Sequence, residues 1–148
     1  MDEKIIAQAV QAVSKGNIIV YPTDTLYALG AGIREKRTIL KIFSVKHRPV
    51  SMPLSLATSD IHQLEQLVVL SDLAKRLADR FFPGKITLIC QRKPCIYDTI
   101  TAGGSTVAVR IPDDPIALPL LKQTGPLIAT SANIHGQPTP STVSEIRK

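Results

Sequence analysis

The sequence of 148 residues has no tryptophan and only three tyrosines and three phenylalanines. So few aromatic rings leave no stacking platform for single-stranded nucleic acid, which counts against a dedicated RNA-binding module. Cysteine is equally sparse. Cys90 and Cys95 form no CxxC pair, and no histidine stands where it would complete a zinc site, so no metal ligand is nominated. They read as reduced intracellular thiols. No apolar run approaches the length of a membrane span, and the charged opening Met1-Asp2-Glu3-Lys4 is unlike a signal peptide. A soluble, cytoplasmic protein without a membrane partner is expected.

Common nucleotide and hydrolase signatures are also missing. There is no GxxxxGK[ST] phosphate loop, no GxGxxG turn and no GxSxG elbow. His47, His62 and His135 stand in dissimilar contexts, each more readily an ordinary loop residue than a catalytic base.

What is present fits one domain spanning residues 1–148, because 44% hydrophobic composition is ample for a core at this length. Lysine and arginine number 18 against 12 acidic residues, a net charge of +6. Such a surface attracts polyanions such as nucleotides or RNA, although the basic residues are dispersed rather than gathered in a run.

The chain is organised around Ile18 to Gly32. The apolar run Ile18 to Tyr21 predicts a buried strand that Pro22 stops. The loop after it, Thr23-Asp24-Thr25, carries two hydroxyls and a carboxylate. It reads either as a turn capped by Asp24 and Thr25 or as a ligand loop at a strand end. Before it, Ile5, Ile6, Ala9, Val10 and Val13 predict an amphipathic helix from Asp2 to Lys15, closed by Gly16. After it, a helix over Glu35–Val45 turns Ile39, Ile42 and Phe43 inward and gives way to the basic loop Lys46 to Pro53. Leu54–Ala57 reads as a strand and Ser59–Leu64 as a short helix. Ser71 caps a helix to Phe82 with Leu73, Leu77 and Phe81 as its inner stripe. Strands are expected at Ile86–Gln91, Thr106–Ile111 and Leu127–Thr130, and a helix from Pro115 to Thr124. Ser141 or Thr142, with Glu145, has the form of a capping box. The chain stops about two turns into that helix, so a longer domain is expected.

Strands and helices alternate, which predicts an α+β architecture with helices layered on a twisted mixed sheet. Four loops concentrate the polar chemistry: Thr23–Thr25, Lys46–Arg48, Gly103–Arg110 and Ser131–Thr139. Lys46 and Arg48 alternate in what reads as an extended segment and could converge on an anion. The amides of Gly103 and Gly104 could approach phosphate oxygens, and Ser131 and Asn133 could donate to phosphate or to a second polar substrate. The residues by themselves point to a site for a phosphorylated ligand.

Taken together, P-T-D-T-L-Y-A-L-G, K-H-R-P, F-P-G-K-I-T-L-I, S-T-V-A-V-R-I-P-D-D-P and G-P-L-I-A-T-S-A-N-I-H-G-Q-P-T resemble, in order, the YrdC-like family of threonylcarbamoyl-AMP synthases. The resemblance implies a three-layer α+β domain with a deep basic cleft. It implies an enzyme that joins L-threonine, bicarbonate and ATP, with Mg²⁺ accompanying the ATP, into threonylcarbamoyl-adenylate and pyrophosphate. That step leads to the threonylcarbamoyl (t6A) modification of tRNA, which places tRNA downstream and partner proteins of that pathway nearby.

By motif, Thr23 with Thr25 resembles the threonine side of the site, Lys46 and Arg48 the catalytic phosphate clamp, and Ser55 a cleft residue. Ser105, Thr106 and Arg110 resemble further contributors to that cleft. Ser131, Asn133 and Thr139 resemble nucleotide contacts, with Ala129 offering backbone. The sequence departs from the family pattern at Ala28 in place of glycine, Lys85 in place of proline and Asp114 in place of histidine. The family domain continues into another strand, so an under-covered sheet edge is expected beside Ile18–Tyr21. The alternatives are a double-stranded RNA or tRNA binding module, or a relative that handles another carbamoyl-adenylate.

Overall fold

A computed structural model describes residues 3–146. The elements follow the chain as α1 (Glu3–Ser14), β1 (Ile19–Tyr21), β2 (Ala28–Gly30), α2 (Lys36–Lys46), β3 (Leu56–Ala57), α3 (Ile61–Leu67), β4 (Val68–Val69), α4 (Asp72–Phe81), β5 (Leu88–Arg92), α5 (Asp98–Thr101), β6 (Thr106–Arg110), α6 (Ala117–Thr124), β7 (Leu127–Ile128), β8 (Thr130–Ser131) and α7 (Val143–Ile146). Asp2, Arg147 and Lys148 lie outside the described residues.

The strands form a three-stranded set ordered β1-β2-β8 and a five-stranded set ordered β4-β5-β6-β3-β7. One ladder joins them. Ala28 pairs with Ser131, Leu29 with Thr130 and Gly32 with Leu127, all antiparallel and in one register, while β7 pairs on its other side with β3. The β3–β6 pair is parallel and the other strand pairs are antiparallel, so the sheet is mixed, as the alternation of elements predicts.

Side chains alternate across this sheet and separate the core into two layers. Leu56, Leu88, Cys90, Val107, Val109 and Ile128 face the helices α2 to α5. Tyr21, Ala28, Ala57 and Leu127 face α6, with Ala9, Val10 and Val13 of α1 packed beside them. That second layer stops short of β5, where Ile89 is 75% exposed. Close packing also fixes a glycine: a Cβ on Gly30 would lie 2.6 Å from Cε1 of Tyr21.

Several local expectations change in the folded chain. Helix α2 runs on to Lys46, because His47 takes a left-handed cap at φ 50° and the amide of Arg48 bonds the carbonyl of Phe43 at 2.9 Å. Lys46 is therefore the last helical residue rather than part of an extended segment. On α4 the inward residues are Ala74, Leu77 and Ala78, whereas Leu73 is 58% and Phe81 46% exposed. Small Ala78 seats the helix closely and rotates the larger residues to its flanks. Ile5 of α1 likewise faces outward.

Caps are where the sequence specifies ends. Ser71 accepts from the Ala74 amide and Asp60 from the Gln63 amide. The Glu145 carboxylate takes the amides of Ser141 and Thr142 while the Thr142 hydroxyl accepts from Glu145, a reciprocal box. Asp114 accepts from the amides of Ile116 and Ala117 at 2.8 and 2.9 Å. It starts α6 two residues beyond Pro115. Among the described residues β1 is a sheet edge, paired only with β2, and Val20 there is 39% exposed. No described helix is long and apolar enough to cross a membrane.

Candidate functional site

The turn after β1 uses its hydroxyls unequally. Thr23 Oγ1 accepts from the amides of Thr25 and Leu26, each at 3.2 Å, and donates to the Leu26 carbonyl at 2.6 Å. Thr23 therefore closes the turn, the task that sequence considerations give to Asp24 and Thr25. Those two are released to face Arg110 at the end of β6. The guanidinium donates to Thr25 Oγ1 at 3.0 Å, to the Gly84 carbonyl at 3.3 Å and to Asp24 Oδ1. This ion pair is largely buried, with 9% of the Asp24 side chain and 14% of that of Arg110 exposed. Tyr21 lies beside it, its phenol pushed far above its ordinary range by burial despite an opposing pull from Arg110.

A second cluster forms where α2 meets the loop after β8. Lys46 is 2% exposed. Its ammonium donates to the carbonyl of Ser131, to the carbonyl of Asn133 at 2.7 Å and to Asn133 Oδ1 at 3.1 Å. All three lysine donors are occupied by protein oxygens. Ser131 Oγ also donates to Asn133 Oδ1 at 2.6 Å, Asn133 Nδ2 donates to the Gln137 carbonyl at 2.6 Å, and the His135 amide bonds the Lys46 carbonyl at 2.8 Å. Burial, and secondarily the charge of Arg48, bring the Lys46 pKa down from 10.5 to about 8. Arg48 donates to the Pro53 carbonyl at 2.8 Å.

Two cavities adjoin along the Ser131–Asn133 segment. The smaller, about 180 Å³, is lined by Thr23, Thr25, Arg110, Ala129 and Ser131 among others. The larger, about 550 Å³, includes Lys46, Asn133 and Thr139 in its lining. The Ala132 amide, donating to the Tyr27 carbonyl at 3.0 Å, ties the walls together. A third cavity of about 810 Å³ lies where Gly32, Thr38 and Pro126 meet and contains none of the nominated residues.

The remaining nominees fall elsewhere, Arg48 among them, since it follows Lys46 in the chain but lines none of the three cavities. Ser55 acts through its backbone, its carbonyl accepting from the Ala129 amide at 2.9 Å. Ser105 directly precedes β6 and Thr106 begins it, Thr106 about 13 Å from Arg110 by strand rise, and both are outside all three cavities. Thr106, Ala108 and Arg110 nevertheless share one face, the open one that also carries Ile89.

The amides of Gly103 and Gly104 do not cradle a phosphate. They bond the carbonyls of Asp98 and Thr101 at 2.9 and 3.0 Å and so close α5. Arg92 secures that loop through Gly104, Ile96 and Asp98. Asp24 is the residue that motif spacing missed. The signal was a carboxylate in a strand-end loop of a chain whose β6 ends in an arginine.

The Sua5/YciO/YrdC family, described as "Telomere recombination", matches residues 11–148. Threonylcarbamoyl-AMP synthase of Bacillus subtilis (strain 168) is 40% identical over 144 residues, 95% of this chain and 42% of that protein. A putative threonylcarbamoyl-AMP synthase of Methanocaldococcus jannaschii is 36% identical over 146 residues, 99% of this chain and 69% of that protein. The crystal structure of P. abyssi Sua5 complexed with L-threonine superposes with a TM-score of 0.95 at 36% identity, covering 99% of this chain and 44% of that one. The chain thus spans less than half the length of the B. subtilis and P. abyssi proteins.

Proposed function

Because the chain belongs to the Sua5/YciO/YrdC family, we propose that it takes part in making threonylcarbamoyl-adenylate and pyrophosphate from L-threonine, bicarbonate and ATP, as a nucleotidyltransferase feeding the t6A modification of tRNA. The observation that carries this reading is a pair of cavities lined by successive residues of one segment, Ser131 in the smaller and Ala132 and Asn133 in the larger. One is too small for a nucleotide and the other is within the usual range for an organic ligand. Two substrates that must react can be held on either side of one polar segment. A solved relative is complexed with L-threonine, and the size of the smaller cavity and the Arg110 in its lining suit an amino acid.

In this reading the threonine carboxylate faces Arg110, while the triphosphate lies toward the corner of Lys46 and Arg48. The amine takes up bicarbonate or CO₂ to form a carbamate, and a carbamate oxygen attacks the α-phosphorus as pyrophosphate leaves. Such chemistry asks for positioning and for neutralisation of phosphate charge more than for side-chain acid–base groups. Arg48 supplies direct phosphate contacts. Lys46, its donors already committed to Ser131 and Asn133, supplies charge and holds the loop in place.

A Mg²⁺ ion would contribute charge neutralisation while travelling with the triphosphate. No group of three or more histidine, cysteine, aspartate or glutamate residues that could hold a metal occurs among the described residues, and magnesium commonly uses substrate phosphates as ligands. Cytoplasmic location, bicarbonate as carbon donor and partner proteins of the t6A pathway belong to the same proposal.

The test is incubation of the chain with ATP, L-threonine and bicarbonate, followed by mass spectrometry for the adenylate. The adenylate is expected only when all three are present. ATP binding without the adenylate under any carbonate or threonine condition would move the chain to a relative acting on another substrate. Arg48→Ala should weaken ATP far more than threonine, and unchanged ATP affinity by calorimetry would remove Arg48 from the phosphate site.

A further inference from the structure

The two basic centres of the site differ in one respect. Lys46 and Arg48 have no acidic partner among the described residues; their hydrogen bonds go to carbonyl and amide oxygens. Arg110 is already paired with Asp24. Arg110 lines the smaller cavity and Asp24 does not, so the carboxylate neutralises the guanidinium from outside the ligand space. With the Tyr21 phenol held neutral by burial, the formal charge of the Tyr21–Asp24–Arg110 cluster is zero.

We infer that Asp24 determines the charge specificity of the smaller cavity, admitting a zwitterionic amino acid and turning away simple anions, including the phosphates of the nucleotide. This rests on the proposal that the cavity holds an amino acid. Adding an anion to a neutral, mostly buried cluster leaves an uncompensated negative charge, which is costly where water is scarce. An amino acid brings its own ammonium with its carboxylate and keeps the total at zero. The triphosphate is thereby directed to Lys46 and Arg48, where positive charge is unpaired. Discrimination of this kind comes from a repulsive element built against the wrong ligand.

Three buried polar atoms in this cluster lack a protein partner: Tyr21 Oη, Asp24 Oδ2 and Arg110 Nε. Of these residues only Arg110 lines the cavity, so the Arg110 guanidinium is the one member of the cluster that meets a ligand directly. Asp24 is a positioning residue in this scheme, acting on ligands through Arg110.

The experiment is calorimetry of the whole chain with L-threonine, with 3-hydroxybutyrate, which keeps the carbon skeleton and loses the amine, and with inorganic phosphate. The wild-type chain is expected to bind threonine at least tenfold more tightly than 3-hydroxybutyrate. Asp24→Asn should narrow that ratio at least tenfold by tightening both anions, and the gain should vanish in the double variant Asp24→Asn, Arg110→Gln. An unchanged ratio in a folded Asp24→Asn chain overturns the inference while leaving the functional reading intact. If that variant does not fold, the wild-type chain decides: equal affinity for threonine and 3-hydroxybutyrate also overturns it. Failure of the wild-type chain to bind threonine at all defeats the functional reading and this inference with it.

Discussion

The ammonium of Lys46 lies 2.7 Å from the carbonyl of Asn133 and 3.1 Å from its side-chain oxygen, although the two residues are 87 positions apart. One lysine at the end of α2 thus holds in place the loop that separates the two cavities. Lys46→Met keeps most of the volume and removes all three donors; the Ser131 carbonyl keeps the Asn133 amide and Asn133 Oδ1 keeps the Ser131 hydroxyl, but the Asn133 carbonyl loses its donor. Such a loss costs roughly 1–3 kcal/mol. Scanning calorimetry should show a melting temperature lower by several degrees, together with weaker ATP binding. A variant as stable as the wild type would show that the clasp contributes little.

Titration of the same lysine should move stability and binding in opposite directions. Its folded pKa of about 8 lies below the ordinary 10.5, so between these values the unfolded chain keeps a proton that the folded chain has released. Its contribution to stability therefore rises with pH across that window, by on the order of 3 kcal/mol. ATP affinity should fall through pH 8 as the charge is lost. Urea midpoints and ATP titrations from pH 7 to 10 test this, and both trends should be absent in Lys46→Met. Flat ATP affinity from pH 7 to 9 in the wild-type chain contradicts it.

Asn133 invites a different expectation from its loop position, since loop side chains usually contribute little to packing. Here its amide accepts from Lys46 and Ser131 and donates to Gln137. Asn133→Ala should lower stability by about 2 kcal/mol and weaken ATP binding. Loss of ATP binding at an unchanged melting temperature would mean that the side chain serves the ligand alone.

Thr23 should respond to the presence of a hydroxyl rather than to its methyl group. Thr23→Ser keeps the bonds to Thr25 and Leu26 and should resemble the wild type, while Thr23→Val opens the turn at a cost of about 1 kcal/mol. Because that turn also presents Thr25 to Arg110, threonine affinity should fall in the valine variant. A valine variant with normal stability but no threonine binding would identify a direct substrate contact.

Much of the fold was legible because helix ends are written locally. Gly16, Asp60, Ser71 and Glu145 mark boundaries through capping chemistry that needs no tertiary partner. The misreadings come from tertiary context. Strands of two or three residues such as β2 and β4 are too short to show a period, and the orientation of α4 depends on Ala78 seating in the core. In the site, Lys46 and Asn133 follow from motif order. The consumption of their donors does not, because it depends on α2 running one residue past the expected boundary and turning Lys46 inward beside Ile42 and Phe43. Asp24 was hidden because its partner lies 86 positions away.

The single register shared by residues 28–32 and 127–131 limits how the chain can change in length. Inserting or deleting one residue between Leu127 and Thr130 would exchange inward for outward side chains along the rest of that strand. Ser131 would then turn away from the cavities, and Ile128 or its replacement would leave the layer it shares with Leu56 and Val109. Viable length variation should therefore be confined to segments outside this ladder, where the core does not depend on parity.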